Sequence, residues 1–143
     1  MSAMANPTSS GRATHARRDL IGRALVGVAA LAAAAAALDA LWSLGGAADA
    51  IKVVSAWRAY GLLVFSALFT LLAARPRAYR GVWEVVIFHK LAMTLTAVVY
   101  QVRGGVADAD TIIVADGILT VALVSAYVLC RGWSQRPAPP ARG

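Results

Sequence analysis

Five ionisable side chains stand deep inside otherwise apolar runs of this chain, Asp39, Arg58, His89, Lys90 and Asp116, and Glu84 is a shallower sixth. A carboxylate paired with a lysine or arginine can clamp two helices together. It can also bind an ion or relay a proton. Lys90 and Asp116 are the first candidates, with His89, Thr94 and Thr120 beside them. On a helical wheel Lys90 shares a face with Met93, Thr94, Ala97 and Gln101, and His89 with Met93, Thr96 and Tyr100. Asp116 aligns with Thr120 and Tyr127. Two polar flanks of this kind suit an interior seam, either as a structural pair or as a ligand- or proton-handling site. Asp39 and Arg58 form the second candidate pair. Each lies about 8–10 Å outward of the middle of its run, and arginine suits a two-pronged carboxylate contact. Arg80 and Glu84, one helical turn apart, form an expected interfacial pair.

Those residues need helices to carry them, and the sequence supplies four apolar runs: 20–44, 53–74, 82–100 and 111–130. Each approaches or exceeds the roughly 20 residues that cross a bilayer core. They are continuously apolar rather than alternating, which excludes barrel strands. The Ala32–Ala37 tract favours helix and, being small, is expected to face protein. Gly45 and Gly46 break the first run, Arg75-Pro76-Arg77 and Gly81 the second, and Gly104 and Gly105 the third. Short turns make successive helices antiparallel neighbours. The reading is an all-α, integral-membrane four-helix bundle of up-down topology spanning 19–133. A basic segment, 1–18, and a Pro-rich tail, 134–143, are expected to be disordered.

Composition agrees. Of 143 residues, 59% are hydrophobic and 15% charged, with a mean hydropathy of +0.65. Soluble domains carry about a quarter charged residues. The net charge of +7 falls in juxtamembrane clusters rather than one patch, so nucleic acid is not an expected partner. Arg12, Arg17, Arg18 and Arg23, then Arg75, Arg77 and Arg80, then Arg131, Arg136 and Arg142 flank one side of the runs. The other side holds only Lys52 and Arg103, diluted by Asp49, Asp108 and Asp110. The positive-inside rule places both termini in the cytoplasm. Arg over Lys, with abundant Ala, suits a GC-rich bacterial genome and hence a bacterial plasma membrane. A rival reading of the first run as a cleaved secretory signal, with Ala48-Asp49-Ala50 as the cleavage site, conflicts with its length.

Several chemistries lack their parts. No Gly-rich phosphate loop follows a strand. Cys130 is the only cysteine, too few for a thiol-redox pair. His15 and His89 are the only histidines and no second ligand neighbours His89, so neither a metal nor a haem is expected. No cofactor is predicted. Enzyme chemistry could run only through Lys90, Asp116 and His89, on a lipid or quinone. The stretch Gly61–Arg77, GLLVFSALFTLLAARPR, resembles the helix and Arg-containing turn of the DoxX-like small bacterial membrane proteins. That resemblance implies a four-helix fold and a redox-linked or accessory role. The expected partners are the lipid bilayer and another membrane protein or a second copy. The leading expectation is a non-enzymatic accessory protein whose interior ion pairs fix helix register. The alternative is a ligand- or proton-coupled membrane protein, an oligomeric transporter or a quinone- or lipid-linked redox component, using Lys90, Asp116 and His89.

Overall fold

The computed structural model describes residues 7–79 and 81–134, the first six of these by backbone alone. The chain is helical: α1, Pro7–Ser43; α2, Asp49–Ala74; α3, Val82–Val102; α4, Ala109–Cys130. A 3-10 turn, Leu44–Gly46, follows α1. All four helices are long and apolar enough to cross a membrane. The expected runs match α2, α3 and α4 within a few residues. The first differs more. Its helix begins at Pro7, so the segment expected to be disordered up to residue 18 is helical from Pro7 onward. Residues 1–6 and the tail from 135 lie outside the described ones.

Partner residues fix how the helices lie. On α1 and α2, the Arg23 Nε–H donates to Ala73 O (2.7 Å) and the Ser66 hydroxyl donates to Ala30 O (3.0 Å). On α3 and α4, Glu84 meets Tyr127 and Lys90 meets Asp116. The end carrying the α2–α3 turn is here termed the base, and the end carrying the 44–48 and 103–108 connections the top. α1 packs broadly on α2 and also on α4, and α3 packs on α4, whereas α2 and α3 touch only lightly.

The core sits at the base. It joins Val26, Ala29, Ala30 and Ala33 of α1, Phe69 and Leu72 of α2, Trp83 and Val86 of α3, and Leu123, Ala126 and Cys130 of α4. The α1 positions recur at helical spacing, and the small side chains let neighbouring backbones approach. Of the alanine tract only Ala33 and Ala37 are buried, while Ala32, Ala35 and Ala36 are exposed. The tract therefore presents one face, not its whole circumference, to protein.

The α2–α3 turn closes the base. Pro76 follows the end of α2, and Gly81, at φ 78°, starts α3 from a left-handed conformation that suits glycine. The buried indole of Trp83 donates to Pro76 O at 2.8 Å. Trp83→Phe keeps most of the ring but leaves that carbonyl unsatisfied. We expect a loss of about 1–3 kcal/mol in detergent-unfolding titrations. An unchanged titration would show that another donor serves Pro76.

Candidate functional site

The candidate centre lies midway along α3 and α4. Lys90 is about 12 Å along its helix from Val82. Its Nζ donates to Asp116 Oδ1 at 2.8 Å, and the two side chains are only 7% and 14% exposed. The expected pair is therefore made. Lys90 is the one buried charged residue among the described residues. The turn between α3 and α4 is short enough to bring these two positions together.

Phe65 of α2 completes this cluster. Lys90 Nζ stands 4.6 Å from the centre of its ring, a cation–π contact. The same ring lies 4.4 Å from the His89 imidazole, tilted by 46°. The phenylalanine thus bridges the lightly packed α2–α3 edge. Nothing in the sequence distinguishes Phe65 from its apolar neighbours except its reach, so this contact is not legible beforehand.

Thr94 and Thr120 do not turn their hydroxyl protons toward the ion pair. Thr94 donates to Lys90 O (2.8 Å) and Thr120 to Asp116 O (2.7 Å), each one turn back on its own helix. Both donors are thereby used within the helices. His89 differs, because its Nδ1 is buried without a hydrogen-bond partner. A buried polar atom in that state is uncommon and costs stability.

The second expected pair is not made. No ion pair joins Asp39 to Arg58, and both residues are exposed. Depth alone suggests the contact, but helix rotation forbids it. Asp39 follows the buried Ala37 by two residues, or about 200° round α1, and faces away from α2. Arg58 lies seven residues before Phe65 and continues its stripe, which faces α3 rather than α1. The third pair involves Arg80, outside the described residues. Glu84 instead accepts a hydrogen bond from the Tyr127 hydroxyl at 2.7 Å.

Two ion pairs escape the sequence reading, and one is the exposed Lys52–Asp49 contact at 2.8 Å in the first turn of α2. In the other, Asp19 Oδ1 accepts from Arg77 Nη2 at 2.5 Å, strapping α1 to the α2–α3 turn. Opposite charges at two segments predicted to share one membrane face were the available signal. Among the described residues no three His, Cys, Asp or Glu side chains gather as metal ligands. Comparison of the chain with family models, curated proteins and solved structures finds no match. The reading of function thus rests on the ion pair and its surroundings.

Proposed function

We propose that this chain is a multi-pass protein of a bacterial plasma membrane, an antiparallel up-down bundle with both termini cytoplasmic. In this reading it acts without enzymatic chemistry, as an accessory protein that binds another membrane protein or its own copy. The observation that carries it is the closed state of Lys90. Its ammonium is bonded to Asp116 and roofed by Phe65, and both neighbouring threonines donate to their own helices. Charges committed in this way fix the register of α3 on α4. Polar pairs can fill that role at some cost in stability. The ammonium and the carboxylate are engaged with each other rather than turned toward a substrate. The distribution of arginines supports the orientation.

A second reading keeps one specific observation. The unpartnered Nδ1 of His89 lies one residue from Lys90, which suits a proton- or ligand-coupled site of Lys90, Asp116 and His89. Native mass spectrometry on protein drawn gently from its own membrane separates the two. We expect a second polypeptide, or a second copy, in fixed ratio. A lone chain carrying a non-lipid ligand of constant mass would overturn the accessory reading in favour of the second.

A further inference from the structure

Asp39 and Arg58 do not meet within the chain, yet they stand at one height. Two hydrogen bonds set the register of α1 on α2, joining Arg23 to Ala73 and Ser66 to Ala30. Seven residues up from Ala30 and Ser66, Ala37 and Ala59 stand level, and both are fully buried. Two residues further toward the top, the register reaches Asp39 on α1 and comes within one residue of Arg58 on α2, an offset of about 1.5 Å. Both side chains are exposed. Neither forms an ion pair or a hydrogen bond with the described residues.

Ionisable side chains inside membrane segments pair with one another. This pair cannot form within one chain, because Asp39 is on the side of α1 turned from α2. It can form between two chains. Asp39 shares its stripe with Val28, Ala32 and Ala35, at spacings of four, three and four, and all are exposed. The alanines let another helix approach closely. Arg58 is on a different side of the protomer, at the edge where α2 and α3 touch only lightly. A two-fold contact uses the same patch on both copies, whereas complementary patches on different sides make a head-to-tail contact. Asp110 is a rival partner for Arg58, but it opens α4, where a helix N-terminus already favours a carboxylate. Asp39 stands four residues from the C-terminal end of α1 and has no such support.

We infer that copies of this chain associate head to tail. The Asp39 face of α1 in one copy packs on the α2–α3 edge of the next, and its Asp39 pairs with the neighbour's Arg58. Copies that share one orientation in the bilayer hold these residues at one height, so the pair forms without a shift along the bilayer normal. Guanidinium and carboxylate then meet through two parallel hydrogen bonds. Each copy keeps an Arg58 on one side and an Asp39 on another, so the contact repeats into a ring or a row. The inference rests on the reading of the chain as a binder of its own copy, and it names the surface.

The test uses full-length chains in phosphatidylcholine vesicles, half with a donor dye at the C-terminus and half with an acceptor. Energy transfer is followed as the protein is diluted into lipid. Wild type should show transfer that falls on dilution. Asp39→Arg and Arg58→Asp, each alone, should weaken association by at least about tenfold, the loss expected from one charge-assisted contact. Mixing donor-labelled Asp39→Arg with acceptor-labelled Arg58→Asp should restore wild-type association, because each chain then meets an opposite charge on the other at both contacts. Neither a misfolded variant nor a pairing within one chain gives that recovery. Asp110→Asn should leave association intact. The proposal is overturned by wild type that shows no transfer, by a mixture no stronger than its parts, or by a loss in Asp110→Asn equal to that in Asp39→Arg. Charge-reversed variants that associate like wild type also overturn it, while leaving the own-copy reading in place. Monomeric wild type beside a second polypeptide in native mass spectrometry overturns it and leaves the accessory reading with a different partner.

Discussion

Lys90→Met alone should lower stability by about 3–5 kcal/mol, the range for breaking a buried ion pair from one side. Methionine preserves the length of the lysine stem, and its sulfur can keep the contact with the Phe65 ring. The loss therefore reports the carboxylate left behind. Asp116, with a side chain only 14% exposed, would be left in place without its cation. Adding Asp116→Leu removes that stranded group. Replacing both members of a buried pair by apolar residues is often neutral or stabilising, so the double variant should recover most of the loss. Tryptophan-fluorescence titrations in mixed micelles give each free energy. Recovery establishes that the two residues act as one unit. A double variant as weak as Lys90→Met would sink that claim, because the lysine would then matter through contacts other than Asp116. The same cycle bears on function. Recovered stability with full biological activity places the pair's role in helix register, whereas recovered stability with lost activity moves it to the proton- or ligand-coupled reading.

The contrast between the two expected pairs shows what the sequence can carry. Lys90 and Asp116 sit on helices joined by a short turn, and their polar neighbours recur at helical spacing on one flank. Depth and rotation are both readable there, and the contact forms at 2.8 Å. Asp39 and Arg58 were matched by depth only. The buried α1 positions that set its rotation are alanines and a valine, and alanines fill the rest of the tract too, so the pattern does not single out one face. Phe65 is invisible for a related reason, since one aromatic in an apolar run carries no mark of what it will cover. The helix ends next to Pro76 and Gly81 were legible because those residues restrict the backbone locally. The gathering of the large buried side chains at the base, with only alanines buried toward the top, was not, because the runs are apolar at both ends. Which half of each helix is covered depends on how all four helices pack, a property of the whole bundle.

At the base α1 meets α4, and Gly22 is a point of close approach between them. A Cβ built on Gly22 would stand 2.5 Å from Cys130 Sγ, 3.2 Å from Ala126 O and 3.2 Å from Leu129 Cβ. The sulfur is buried and close to Asp19 O, so it has little room to retreat. Gly22→Ala gains about 1 kcal/mol of helix propensity, against an overpacking cost of about 1–3 kcal/mol. The balance should be a net loss, and Gly22→Leu should lose far more by prising α1 from α4. Cys130→Ala alone deletes one buried atom and should cost about 1 kcal/mol. Combined with Gly22→Ala it removes the sulfur from the path of the new methyl. The two should then couple favourably by at least about 1 kcal/mol, read from the same micelle titrations. Strict additivity would mean that the backbone of α4, through Ala126 O, and not the thiol, sets the approach of the helices. In that case the remedy for Gly22→Ala would have to come from a shift of the whole α3–α4 hairpin. Strong coupling means instead that one glycine facing one thiol sets the spacing of α1 and α4 at the base.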